Sequence, residues 1–404
     1  VQIKDYMIVA FSIVIIGILF SPKIRKNRFW QAIVTPLASI IGSGFLIVAP
    51  VMGELAGTFA PLAMGVIVVF AYFLGTVIRF NILHTEPILL NGQATKLHRF
   101  TEQVSDIAVF IAYLISVAFY LRLMSAFLLK SINANTDNSA LYLTTIILLI
   151  IAAIGIFKGL LVLEKLEEYS VSIKLGIIGA LLIGLVFYNL SNGENIQSVQ
   201  SPSFNFTTFA QLAGLLIVVQ GFETSRYLGD EYDPDTRIKS MRIAQIISGM
   251  IYLIFIFLVM PLLGSVNLKT VGETAIIDLS GHVSIILPVL LVIAATMSQF
   301  SASVADTLGG GGLLKEETNG RVPARVGYVC ICLGAIVLIW SADIFEIITI
   351  ASRAFAFYYF TQTLVALQTI RQMPSSFTRS FGFIGFAMLA VLLACITVFS
   401  IPIE

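Results

Sequence analysis

The sequence predicts an all-α integral membrane protein of about 12 transmembrane helices, and three observations carry this. Hydrophobic residues make up 58% of the 404 residues and charged residues 12%, against roughly 25% charged in a soluble globular chain. Apolar stretches of about 20 residues, the length a bilayer crossing needs, recur along the whole chain. Two of them are interrupted at mid-depth by glycine and polar residues, at Ile41-Gly42-Ser43-Gly44 and at Gln220-Gly221-Phe222-Glu223.

The spans fall at roughly 6–21, 30–53, 58–82, 104–130, 139–157, 166–192, 209–228, 238–264, 284–313, 324–341, 343–370 and 380–401. The first is short. A basic cluster follows it and no small-residue cleavage site appears, so it reads as a membrane helix and not a signal peptide. The second holds the first interruption. Glycine and serine are poor helix formers, and a broken helix is tolerated in hydrocarbon only where its freed backbone groups face protein or a watery cavity. The fourth carries Arg122 and the sixth carries Lys174. The seventh holds the second interruption, about half the chain from the first. The ninth carries Ser298, Ser301, Ser303 and Asp306, and ends in the run Gly309–Gly312, which reads as a flexible or closely packed helix exit. The tenth holds Cys330 and Cys332, the eleventh Arg353 and the twelfth Cys395.

Lysine and arginine in short loops set orientation. Lys23, Arg25, Lys26, Arg28, Lys96, Arg99, Lys158, Lys165, Arg237, Lys239, Arg242, Lys315, Arg321, Arg325, Arg371 and Arg379 fall in loops that share one side. The opposite loops hold little beyond Lys130 and Lys269. The basic side is expected to be cytoplasmic, with both termini outside. Five spans run from 30 to 192 and five more from 209 to 370, and each set begins with an interrupted span entering from the opposite side. That pattern fits two inverted repeats. The chain then divides into an extra N-terminal helix and basic loop (1–29), a first five-helix repeat (30–193), a second (194–375) and a C-terminal helix (376–404).

Three segments resemble the amino acid–polyamine–organocation (APC) superfamily, whose members share the LeuT-type fold. Ile41-Gly42-Ser43-Gly44-Phe45 is similar to the family's unwound first core helix. Gly221-Phe222-Glu223, followed by Asp230-Glu231-Tyr232-Asp233-Pro234, is similar to its sixth-helix motif and acidic-Pro tail. Asn319-Gly320-Arg321-Val322-Pro323 resembles its Asp-Gly-x-x-Pro loop, with Asn in place of Asp. The resemblance implies a LeuT-type 5+5 inverted repeat with discontinuous first and sixth core helices. It departs from the usual pattern in having one helix before the core and one after. It implies secondary transport of an amino acid or related amine by alternating access.

The chemistry of the interruptions fits a zwitterion. Unwinding at Gly42–Gly44 frees N–H groups at the start of the next half-helix, where the dipole favours a carboxylate. The Ser43 hydroxyl adds a hydrogen bond, and Ile41 flanks it. Free carbonyls near Gln220 and Gly221 are placed to accept the ammonium. Phe222 serves as a lid or as packing. An intramembrane acid costs roughly 2.5–3.5 kcal/mol on insertion scales and is a functional candidate by default. Three roles are open to Glu223: a protonated acid, a partner of Arg226, or a proton carrier. Lys174 resembles the lysine that fills the sodium position in proton-coupled relatives. Desolvation favours a neutral amine, so such a lysine can release and rebind a proton; the alternative is a stem that snorkels to the interface. Ser298, Ser301 and Ser303 supply the rival sodium site or bond back onto their own helix. Arg353 is a gate candidate on the outer pathway.

The partners expected are an amino acid, protons or sodium, and the lipid bilayer, in the plasma membrane (the inner one in a bacterium). The composition points to no nucleic acid. No disulfide frame, metal-ligand spacing or cofactor motif occurs. The histidines His84, His98 and His282 read as loop residues, which argues against an intramembrane enzyme. A sensor that binds without transporting stays open on sequence alone.

Overall fold

Hydrocarbon offers no water to backbone groups, so a chain this apolar must bond them internally, and it does so by helix. The computed structural model describes residues 3–402 apart from 43, 158, 193–204, 230, 265–272 and 375–376. The helices are α1 (Ile3–Leu19), α2 (Pro22–Arg25), α3 (Arg28–Ile40), α4 (Gly44–Ala56), α5 (Ala60–Phe80), α6 (Glu86–Leu90), α7 (Lys96–Ser131), α8 (Asp137–Phe157), α9 (Leu161–Asn192), α10 (Phe206–Ala213), α11 (Pro234–Leu263), α12 (Ala275–Val283), α13 (Leu287–Glu317), α14 (Ala324–Ile339), α15 (Ile344–Gln372) and α16 (Phe377–Phe399).

Among the described residues, 8 helical runs are long and apolar enough to cross a membrane. The sequence reading expects about 12 spans, and the difference has local causes. The first interruption splits its span into α3 and α4, 13 residues each, and a helix of that length rises only about 20 Å. The second leaves α10 with 8 residues, followed by 3-10 turns at Leu216–Val219 and Phe222–Tyr227. α1 and α14, at 17 and 16 residues, fall just short. α4 runs through the 3-10 turn Gly57–Phe59 into α5, so two expected spans form one run, Gly44–Leu90.

Caps fix the helix starts. Asn27, Thr95, Asn205 and Asp233 each accept a backbone N–H from the first turn of the following helix. The Asp233-Pro234 pair is a cap followed by proline at the first helical position, where proline's missing N–H costs nothing. Bonds from the Thr236 side chain and N–H hold the Asp233 carboxyl below its ordinary range. Asp343 and Glu346 form a capping box on α15. The histidines are not loop residues: His84 lies in a π-helical turn (Asn81–Thr85), His98 in the first turn of α7 and His282 in α12. His98 and His282 sit at helix ends, where polarity alone does not distinguish a terminal turn from a loop, and His84 lies where α5 runs on through the π turn into α6.

Burial separates inner from outer helices. The apolar window of α7 is 78% buried against 33% for α8 and 17% for α16, so α7 is central and the other two are peripheral. α1 packs on α9 through Gly176 and Gly179. A Cβ at these glycines would lie 2.3 Å from Ile16 and 2.4 Å from Ile15. The Gly309–Gly312 run does not end its helix; α13 continues to Glu317. Its glycines admit neighbours instead. A Cβ on Gly310 would lie 2.4 Å from Ile331, and one on Gly311 would lie 2.2 Å from the Tyr328 ring and 2.8 Å from the Ala324 carbonyl oxygen. Small residues let membrane helices approach in this way.

Gly311→Ala is therefore expected to destabilise by about 1–3 kcal/mol through overpacking. Gly312→Ala, where a Cβ meets nothing within 4 Å, is expected to be neutral or stabilising by up to about 1 kcal/mol. Thermal unfolding of the two variants in the same detergent checks the contrast; equal midpoints would refute it.

Candidate functional site

A helix that stops inside the protein leaves its last carbonyls without intrahelical partners. α3 stops at Ile40, and Ile41 leaves the helical region at φ −85 and ψ 51. The carbonyls of Ala38, Ile40 and Ile41 are met by side chains from three other helices. Lys174 on α9 donates to Ala38 and Ile41 at 2.7 Å each. Tyr252 on α11 bonds Ile40 at 3.0 Å. Ser298 on α13 lies 3.3 Å from the Ile41 oxygen and 3.2 Å from the Lys174 Nζ. Gly42 follows, and α4 restarts at Gly44. Ser43 lies outside the described residues.

The second interruption is longer. After Val219 the chain becomes extended at Gln220, and Gly221 takes φ +113, a left-handed conformation that glycine adopts without steric cost. The carbonyls here are also met. Ser352 donates to Gly214 at 2.6 Å, Tyr252 to Val218 at 2.7 Å, and the Thr224 hydroxyl to Gly221 at 2.7 Å. The Gly221 carbonyl, expected to be free for an ammonium, thus already accepts from both the hydroxyl and the N–H of Thr224.

The two interruptions touch. A Cβ on Gly44 would lie 2.8 Å from the Val218 Cα, and one on Gly221 would lie 2.3 Å from the Ser39 Oγ. Tyr252 sits at the crossing with its hydroxyl on a carbonyl from each segment, its ring packed on Phe45 at 5.5 Å. One hydroxyl hydrogen serves one of these acceptors at a time.

Glu223 is fully buried beside the crossing. Its Oε2 accepts the Gly221 N–H at 2.8 Å and the Tyr359 hydroxyl at 2.6 Å. Its Oε1 has no partner among the described residues. Arg226, the partner considered from sequence, points elsewhere: it binds Glu102 at 2.5 Å and also bonds Gln362. Phe222 is buried and stacks on Tyr359, with centroids 5.2 Å apart and planes 13° apart. The Gln220 amide donates to the Tyr120 hydroxyl at 2.8 Å. The Tyr120 ring lies 4.0 Å from where a Gly42 Cβ would stand, so one residue of α7 borders both interruptions.

Lys174 is only 3% exposed. Its ammonium turns inward onto the α3 carbonyls and not along the helix toward an interface. Of the three serines, Ser298 joins this cluster. Ser303 bonds back to Phe300 on its own helix, and Ser301 is buried on the same helix. Arg353 donates to the Ser400 carbonyl at the end of α16 at 2.9 Å. Arg122 pairs with Asp137 at 3.4 Å, and Asp306 accepts from Ser116.

A second polar group gathers near the basic loops. Arg237 holds Glu86 at 2.7 Å and the Arg226 carbonyl at 2.7 Å. Gln362 receives Arg226 and Asn81, and donates to Ser105 at 2.7 Å. The group ties α6, α7, α11 and α15 to the Phe222–Tyr227 turn.

Sequence reasoning misses Tyr252, Tyr359 and Ser39. Each occupies an ordinary place in an apolar span, and only the crossing brings it to the site. Gln299, beside Ser298, carries a legible signal, an uncharged amide in a membrane helix. The family model described as an APC superfamily transporter matches residues 22–400. An uncharacterized protein from Aquifex aeolicus (strain VF5) is 44% identical over 367 residues, covering 90% of each chain.

Tyr252→Phe keeps the ring and removes the hydroxyl that both interruptions share. The loss is expected to cost about 1–3 kcal/mol, read as a lowered unfolding midpoint in detergent. An unchanged midpoint would mean the hydroxyl does not hold the crossing together.

Proposed function

The chain belongs to the APC superfamily of transporters, and on that premise we propose that it moves an amino acid or related amine across the membrane by alternating access, coupled to protons or by exchange. It is a membrane transporter and not an enzyme. The proposed architecture is the LeuT-type 5+5 inverted repeat within about 12 spans, counting each interrupted pair of half-helices as one. The proposed setting is the plasma membrane, the inner one in a bacterium.

The substrate carboxylate is assigned to Ile41, Gly42, Ser43 and Gly44, where the N-terminal end of α4 offers N–H groups and a favourable dipole. The ammonium is assigned to Gln220, Gly221 and Glu223, with the Glu223 Oε1, unpartnered among the described residues, as its acceptor. Phe222, stacked on Tyr359, walls this end.

One observation carries the coupling assignment: the Lys174 ammonium bonds two carbonyls at the C-terminal end of α3. A charged donor bonds about twice as strongly as a neutral one. Protonated Lys174 therefore ties α3 to α9 and, through Ser298, to α13. Loss of the proton weakens that tie and frees the first interruption to move. The sodium rival uses Ser298, Ser301 and Ser303 with the same α3 carbonyls. It is disfavoured because the ammonium occupies those oxygens, and two cations there would repel.

Closure toward the basic-loop side is assigned to the Arg226–Glu102–Gln362 group. The gate assigned to Arg353 lies toward the opposite end of α15. Its bond to Ser400 ties α15 to α16, and breaking that tie is the motion the gate requires.

Uptake into proteoliposomes with imposed gradients tests the reading. A proton gradient is expected to drive accumulation without sodium. Lys174→Met is expected to abolish it while equilibrium binding weakens by less than roughly tenfold, or about 1.4 kcal/mol. Uptake driven only by sodium would overturn the proton assignment. Binding without counterflow would instead support a sensor.

A further inference from the structure

Gln299 on α13 is 0% exposed, and neither end of its amide has a partner among the described residues. It is the one buried amide there with both ends open. An unbonded polar atom kept from water carries its full desolvation penalty, so two such ends in one side chain point to a ligand.

The helix register places Gln299. α13 and α7 run antiparallel. Asp306 meets Ser116, and a Cβ on Gly309 would lie 3.2 Å from Tyr113. Residues seven apart share a helix face. Gln299 therefore faces α7 like Asp306, and the register carried back seven residues sets it opposite Leu123, one turn from Tyr120. Tyr120 borders Gly42 and accepts the Gln220 amide. Gln220 itself is 2% exposed, and its other end is open; either orientation of that amide leaves one end open. Ser298, the residue before Gln299, already contacts the first interruption at Ile41.

The geometry points to a substrate whose side chain ends in a neutral group that both donates and accepts hydrogen bonds, a carboxamide foremost. Gln299 supplies an amide N–H₂ and a carbonyl, the matching set for a carboxamide, and Gln220 adds one more polar atom. Glu223 remains for the ammonium. A hydrocarbon side chain would leave all of these atoms unbonded. A site built to bond a polar substrate group discriminates strongly against analogues that lack it. This inference rests on the proposed amino acid site and names the class that site selects.

Calorimetric titration of the purified protein in nanodiscs with single amino acids tests it. L-glutamine and L-asparagine are expected to bind at least roughly 100-fold more tightly than L-methionine and L-leucine. Gln299→Met, close in volume, is expected to erase that gap by weakening glutamine alone. The wild-type panel decides the matter even where the variant fails to fold. Methionine, leucine or lysine binding as tightly as glutamine would overturn the inference and leave amino acid transport standing, as would a gap that survives in Gln299→Met. Failure of every amino acid to bind would overturn both.

Discussion

The rest of the structure depends on one constraint: a carbonyl released inside the bilayer must find a donor. Two membrane segments stop being regular helix at mid-depth. The carbonyls of Ala38, Ile40, Ile41, Gly214 and Val218 are met by Lys174, Tyr252, Ser298 and Ser352. These donors stand on α9, α11, α13 and α15. Four helices are therefore committed to the two interruptions by hydrogen bonds that hydrocarbon cannot replace. Any rearrangement of either interruption must exchange these donors for others.

Glycine makes the commitment geometrically attainable. Gly44 against Val218 and Gly221 against Ser39 are backbone contacts that a side chain would prevent. The same device recurs at Gly176 and Gly179 against α1, and at Gly310 and Gly311 against α14. Here the glycines bring helices together, and at Gly221 glycine also supplies the left-handed φ. The two uses look alike in composition and differ in consequence. One tightens a helix pair, and the other ends a helix.

The buried ions divide by place. The Arg226, Arg237, Glu86 and Glu102 group lies near the basic loops and neutralises itself through paired charges. Lys174 and Glu223 flank the crossing and are met mainly by neutral donors and acceptors. Pairing lets the first group tie α6, α7 and α11 to the Phe222–Tyr227 turn.

The sequence alone determined that the chain is helical and crosses membranes, where its two irregular segments lie, and that Lys174 and Glu223 are ionisable residues within apolar spans needing an explanation. Composition and glycine placement are local properties, and they suffice for those conclusions. The tertiary structure decided the rest. Arg226 faces Glu102 and not Glu223, Ser298 faces Lys174 while Ser303 bonds its own helix, and Arg353 meets Ser400. Tyr252 and Tyr359 enter the site although nothing in their own segments distinguishes which way they face. Hydrogen bonds between residues on different helices, 34 and 212 positions apart at Tyr252, arise only when helices dock, and their partners are set by register and rotation about each helix axis. Hydropathy carries no information about either in a helix that is apolar on every side.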